Sequence, residues 1–407
     1  MNFKKIFELA LGIVTSMGGF LEVGSIATAA QAGAAFGFQL IWPIALGTIC
    51  LIFLIEMSGR LAAVSHHPLP AAVRERFGFN FFVIPLTAET VVDFLVLTSE
   101  VGGVSLGLQI LTGIDYRWWA LPSAIGVWLL LWKGNFSIIE YGVSFLGLII
   151  VVFLIAAWKM HPERAPMLRG LLPSLPGHDK IHYWFLAVSI LGATISPFLF
   201  NFYSSGAIED DWTEEDLWPN RFIATLGMSF GGLTSIGVLV AAATVLHPRN
   251  IEVDKYEQVG LIVSGPLGKW GFWLFGLGLT IACLGAALEV SLDSAYIYSQ
   301  CFGWNWGENQ RAPDAARFCM VYTILIALAP IPLLLGIDPL KLTMFSMAIT
   351  VVILPFVVLP FLVLMNDPRH VGEHRNGWIG NSIVFFIIIM AAVLAVVAIP
   401  LEISGGK

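Results

Sequence analysis

Leu21-Glu22-Val23-Gly24-Ser25 and Leu191-Gly192-Ala193-Thr194-Ile195-Ser196-Pro197-Phe198 interrupt two apolar runs with polar residues, glycine or proline. Without them each run would read as a continuous helix of the roughly 20 residues needed to cross a bilayer. A break frees backbone carbonyls and amides that lipid cannot satisfy. Such groups are tolerated only where they line a cavity or hold something. The breaks fall in the first and sixth apolar runs, at corresponding positions in two halves of five. Paired breaks of this kind point to a substrate site near the bilayer midplane of a secondary transporter.

Composition agrees with a membrane chain. Of 407 residues, 57% are hydrophobic and 12% charged, against about 25% charged in a soluble globular protein. One integral domain is expected over 1–407. The net charge of −7 comes largely from one acidic loop, Glu209-Asp210-Asp211-Trp212-Thr213-Glu214-Glu215-Asp216. That loop reads as a solvated helix start, with a gating or ion-attracting role as the alternative. No basic patch suggests nucleic acid. Cys50, Cys283, Cys301 and Cys319 lie in or beside apolar stretches without metal-ligand spacing, and read as packing residues. The apolar run behind Met1-Asn2-Phe3-Lys4-Lys5 reads as the first span, not a cleaved signal.

Eleven spans are expected, near 7–36 (broken), 38–62, 80–111, 117–132, 137–158, 182–207 (broken), 221–246, 267–301, 315–335, 339–365 and 378–401. The third and eighth are long enough to tilt or project. Repeat one would cover about 7–158 and repeat two about 182–365, with an extra helix at about 378–401. Lys4, Lys5, Arg60, Arg74 and Arg76 favour a cytoplasmic N-terminus. Trp118, Trp119, Trp270 and Trp273 read as interface anchors.

At the breaks the chain resembles the natural resistance-associated macrophage protein (NRAMP) family of divalent-metal transporters. The family's first-span Asp-Pro-Gly-Asn aligns with Glu22-Val23-Gly24-Ser25. Its following Gln-Ala-Gly-Ala-x-Phe-Gly stretch aligns with Gln31-Ala32-Gly33-Ala34-Ala35-Phe36-Gly37. Its sixth-span Leu-Gly-Ala-Thr-Val-Met-Pro-His aligns with Leu191 to Phe198, and a later serine pair with Ser204-Ser205. Leu354-Pro355-Phe356 matches in the tenth span. The resemblance implies an all-α integral membrane protein with the LeuT-like inverted five-plus-five fold. It further implies a functional monomer and alternating access around an ion held between the breaks, while the lean loops suggest a prokaryotic plasma (inner) membrane.

The departures carry chemical information. The family's ligating Asp, Asn and Met become Glu22, Ser25 and Ser196. The histidine after the proline becomes Phe198, and a tenth-span glutamine aligns with Ile353. The third-span Asp-Leu-Ala-Glu reads Leu97-Thr98-Ser99-Glu100. A thioether favours softer transition metals over Mg²⁺ or Ca²⁺. Its replacement by a hydroxyl leaves an oxygen-only set: Glu22, Ser25, Ser196 and freed carbonyls such as that of Ala193. A roomy pocket with one carboxylate suits an ion that keeps several waters. This resembles the NRAMP-related magnesium transporter branch, in which the transition-metal residues are replaced, and the expected order is Mg²⁺, then Mn²⁺, then Ca²⁺. Leu97 and Phe198 cannot carry protons, so weak or absent proton coupling is expected. An inside-negative potential alone favours entry of a divalent ion by about 4.6 kcal/mol per 100 mV, twice the value for one charge.

Gly24, Glu100, Asn201, Glu89 and Asp93 are candidates for an ion pathway. Glu89 and Asp93 lie four apart on one helix face, and Glu289 and Asp293 repeat the spacing in the eighth span; an ion path and pairing with an arginine both fit the latter two. A proton-coupled Mn²⁺/Fe²⁺ transporter and a carrier of an organic solute are the alternative functions. An enzyme would need a His/Asp cluster or a nucleophile–base pair within the spans. Most of the eight histidines lie in loops or at span ends, and neither an enzyme nor a cofactor is expected.

Overall fold

In the computed structural model, the described residues are 22–133, 151–308, 310 and 312–403. Their regular structure is helical throughout. The principal elements are α1 (Val23–Phe36), α2 (Ile41–Ser65), α3 (Leu69–Phe77), α4 (Phe79–Thr112), α5 (Tyr116–Lys133), α6 (Val151–Lys159) and α7 (Arg164–Arg169). They continue with α8 (Lys180–Thr194), α9 (Pro197–Glu209), α10 (Leu217–Val245), α11 (Tyr256–Leu267) and α12 (Lys269–Phe302). The remainder are α13 (Ala316–Leu328), α14 (Pro330–Leu334), α15 (Pro339–Leu364), α16 (Pro368–Val371) and α17 (Trp378–Ile403).

Among the described residues, eight helical segments are long and apolar enough to cross a membrane. They match the expected second, third, sixth, seventh, eighth, ninth, tenth and eleventh spans. The expected fourth span is α5, 18 residues long, with Arg117 and Lys133 near its ends. Residues 7–21 of the first span and 137–150 of the fifth lie outside the described residues. The third and eighth spans are long, as anticipated: α4 and α12 each run 34 residues, about 50 Å at 1.5 Å per residue.

One correction concerns a connection. The stretch 247–266, expected as a long loop, contains α11. Tyr256, Val259, Gly260, Ile262 and Val263 are buried there, an amphipathic pattern that covers α10 and α12. At 12 residues it is too short to cross the bilayer. The ninth span is one apolar helical run over Ala316–Leu334, with Pro330 inside it opening α14. The acidic loop takes the form of a helix start. Glu214–Asp216 make a short 3₁₀ turn, with Asp216 accepting from the Thr213 amide at 3.0 Å, directly before α10.

Helices α4 and α12 run antiparallel in close contact. Gly107 meets Thr280, Gly103 meets Cys283, Thr90 bonds Tyr298, and the Phe79 and Phe302 rings pack at a tilt. This register fixes which acidic residues face one another. Trp118, Trp270 and Trp273 are exposed, as expected of interface anchors. All four cysteines are free and buried.

Candidate metal site at the two helix breaks

The sixth-span break lies where the sequence places it. Helix α8 ends at Thr194, Ile195 and Ser196 leave helical geometry, and Pro197 opens α9. Pro lacks an N–H and has a preset φ, so it suits a first helical turn and cannot continue the preceding helix. The last carbonyls of α8 lack helical partners, and local groups satisfy several of them. The Leu191 carbonyl accepts from the Ile195 amide at 2.8 Å. The Gly192 carbonyl accepts from Ser196 Oγ at 3.0 Å, and that of Ala193 from Ser25 Oγ at 3.3 Å. Ser25 thereby ties the first break to the second.

Glu22 precedes α1 in extended geometry, with φ −96° and ψ 173°. The Val23 amide, the first donor of α1, is captured by Glu100 of α4. Glu22, Ser25, Ala193 and Ser196 therefore meet at one point, with Gly24 and Glu100 beside them. All six are buried. Both carboxylate oxygens of Glu22 are buried without a hydrogen-bond partner. Ser196 lies close enough to act on that carboxylate, while its hydroxyl proton goes to Gly192. Glu100 and Glu289 are close enough to repel Glu22 when ionised. Among the described residues, neither Glu22 nor Glu100 forms an ion pair with a cationic side chain. An unpartnered buried carboxylate is costly, by several kcal/mol for the ion alone, and in a membrane marks a functional site by default.

The remaining pathway candidates assemble elsewhere. Asn201 of α9 donates to Glu89 Oε1 at 3.3 Å, and Asp93 accepts from Ser294 Oγ at 2.9 Å. Asp93 lies two helical turns from Glu100 along α4, about 10 Å. The candidates thus divide between the breaks and a second cluster.

Two sulfur-bearing residues at the breaks escape sequence reasoning. The Met347 side chain of α15 lies against Gly24: a Cβ there would meet its Sδ at 2.6 Å. The Met347 carbonyl lies against Gly192, so one residue touches both breaks. Cys283 sits beside Glu100 and Gly103, and so has polar company beyond the packing role expected of it. Ile353, which aligns with the family's tenth-span glutamine, is buried, and at Gly24 of the first break the nearest α15 side chain is that of Met347. No local pattern in the sequence marks it; only the approach of α15 does. Among the described residues, no group of three or more His, Cys, Asp or Glu side chains is arranged to hold a metal ion by itself.

The fold and the sequence can be set beside known proteins. The chain resembles the crystal structure of an Eremococcus coleocola manganese transporter with a TM-score of 0.78 at 18% identity, covering 98% of this chain and 87% of that one. It resembles Mhp1, a nucleobase-cation-symport-1 family transporter in a closed conformation, with a TM-score of 0.64 at 14% identity, covering 96% and 91%. The fold is accordingly the LeuT-like all-helical one. The chain is 27% identical over 354 residues to the divalent metal cation transporter MntH of Deinococcus radiodurans, covering 84% of this chain and 78% of the relative. It is 24% identical over 376 residues to MntH of Bacillus subtilis, covering 88% and 84%. The model of the natural resistance-associated macrophage protein-like family matches residues 12–400, and with nearly its whole length inside that match the chain belongs to this family.

Proposed function

We propose that the protein is a multi-pass carrier in the cell membrane that takes up divalent metal ions, Mg²⁺ before Mn²⁺, by alternating access. The observation that carries this reading is the Glu22 carboxylate, buried at a helix break with both oxygens unpartnered. A divalent cation supplies the charge it lacks. The Ser25 and Ser196 hydroxyls donate to the Ala193 and Gly192 carbonyls. A hydroxyl that donates still carries acceptor lone pairs, so both side chains are chemically able to face a cation or its waters. Mg²⁺ usually keeps several waters and binds through one or two carboxylates, which fits the single Glu22 carboxylate at the breaks.

Residues 7–158 and 182–365 would form the two inverted repeats, 378–401 the added helix, and the N-terminus would be cytoplasmic. The transporting unit would be a monomer. Gly24 and Glu100 would border the ion's route, which continues past Asn201, Glu89 and Asp93. With Leu97 and Phe198 unable to titrate, the ion gradient and membrane potential would drive uptake.

Met347 favours a second reading. A thioether against Gly24 is a soft donor near the place where Ser196 removed one, and would suit Mn²⁺ or Fe²⁺. The deciding experiment is uptake into proteoliposomes, comparing Mg²⁺ with Mn²⁺ and wild type with Glu22→Ala. Saturable Mg²⁺ uptake that the substitution abolishes supports the first reading. Mn²⁺ uptake without Mg²⁺ uptake supports the second.

A further inference from the structure

Asp293 of α12 is fully buried, and both its carboxylate oxygens lack a hydrogen-bond partner. The register of α4 against α12 brings it to Asp93 and Glu89, whose carboxylates act on it directly. The donors nearby are few. Ser294 Oγ gives one hydrogen bond to Asp93 at 2.9 Å, and Asn201 Nδ2 gives one to Glu89 at 3.3 Å. Asp93, Glu89, Asn201 and Ser294 are all at least nine-tenths buried. Among the described residues, none of the three acids forms an ion pair with Lys, Arg or His. When ionised, three carboxylates facing two neutral donors carry negative charge that no cationic side chain among the described residues balances. Further along α12, seven residues beyond Asp293, the Gln300 side-chain oxygen is also buried and unpartnered, while its amide donates to Ser205 at 2.9 Å. Unused oxygen acceptors therefore line one face of α12, running away from the breaks.

We infer that Asp93 and Asp293, supported by Glu89 and the Asn201 amide, form a second station for a hydrated divalent cation, about 10 Å along α4 from Glu100, which sits beside Glu22. The inference rests on the divalent-cation reading of the protein, and it adds a binding site separate from the breaks. Two aspartates supply two negative charges to a divalent ion. Glu89 and Asn201 present further oxygen to its waters, the arrangement expected of an ion that keeps most of its hydration shell. An ion leaving Glu22 toward the Phe302 end of α12 would rest there, so that it never crosses the interior without a counter-charge.

Mn²⁺ alone serves as the probe, because the aquo ion loses its paramagnetic resonance signal on binding and can be counted. Purified full-length protein should bind two ions at saturation. Asp93→Asn/Asp293→Asn should bind one, Glu22→Gln should bind one, and the triple variant none. Asp293→Asn alone, which removes an unpartnered charge at nearly constant shape, should fold as wild type does and weaken one binding event at least tenfold. Its melting temperature and size-exclusion profile check the fold. One ion in wild type, lost in Glu22→Gln and kept in the double aspartate variant, would overturn the station and leave the site at the breaks intact. Two ions in wild type, of which Glu22→Gln keeps both and the aspartate variant loses one, would support the station and remove Glu22 from the ion's ligands.

Discussion

The Val23 amide donates to both carboxylate oxygens of Glu100, at 3.2 and 3.4 Å, so the half-helix α1 begins on a carboxylate supplied by α4. A negative charge at a helix N-terminus is favourable, and this contact joins the broken first span to the long third one. Glu100 thereby has a structural reason to persist where its family partner, the aspartate, has become Leu97. Glu100→Gln keeps an oxygen for the amide and should retain Mg²⁺ uptake within a few-fold. Glu100→Ala leaves a buried donor unsatisfied and should cost about 1–3 kcal/mol of stability. A pH dye inside proteoliposomes checks the associated expectation. Mg²⁺ entry should not acidify the lumen, and acidification that Glu100→Gln abolishes would make Glu100 a proton carrier.

Restoring the family's sulfur tests the chemistry of the second break. Ser196→Met replaces the hydroxyl that donates to Gly192 with a thioether. Competition assays should show Mn²⁺ gaining on Mg²⁺ on the order of tenfold, equal to about 1.4 kcal/mol. Met347→Leu is close to volume-conserving and should cost under about 1.5 kcal/mol in stability. Under the Mg²⁺ reading it should leave Mg²⁺ uptake unchanged and weaken competition by Mn²⁺. A loss of all transport in Met347→Leu would instead make Met347 a ligand in its own right.

Much of this site was legible because a helix break in an apolar run is a local event. Glu22, Ser25, Ser196 and Pro197 announce it by residue type alone, and the structure brings them together through Ser25 and Ala193. The acidic pairs were visible as four-residue spacings on α4 and α12. Their grouping was not, because it depends on the register of two antiparallel helices, which glycine contacts such as Gly103 with Cys283 set. Asp293 looked equally suited to an ion path or an arginine partner until that register placed it against Asp93. Met347 carried no signal at all, since its contact with Gly24 exists only when α15 crosses both breaks. α11 was missed because a short amphipathic helix between long apolar runs resembles a polar loop.

Gly24 and Gly192 both meet Met347, but with different parts of it. At Gly24 an added Cβ would strike the flexible end of the side chain, which can rotate. At Gly192 it would strike the Met347 backbone carbonyl, and α15 cannot move without disturbing its packing on α8. Gly24→Ala should therefore cost about 1–3 kcal/mol, as overpacking does, and keep measurable uptake. Gly192→Ala should be the worse of the two in both thermal stability and uptake. The reverse order in a side-by-side melt would mean that α15 yields more readily than the Met347 side chain.

Outside the spans, Asp367 ties two connections together. Its carboxylate accepts from the Arg369 amide at 3.0 Å and from Arg369 Nη2 at 2.7 Å, and from Arg76 Nε of α3 at 2.8 Å. The Arg369 guanidinium first, then the Arg369 amide and Arg76, hold this carboxyl well below the usual carboxylate range. A carboxyl depressed in the folded state stabilises the protein above its unfolded value, about 3.9, and that contribution fades as pH falls toward the folded value. Asp367→Asn retains a side chain able to cap α16 and removes only the charge. Its melting temperature should fall short of wild type by a constant amount between about pH 5 and 8. The gap should narrow below about pH 4, where the Asp367 carboxyl of the unfolded chain begins to take up a proton while the folded one stays ionised. Arg76→Ala should reproduce part of the gap, because it removes the cross-link and leaves the Arg369 contact. A gap independent of pH down to 3 would mean that the Asp367 charge contributes nothing and that its shape alone matters.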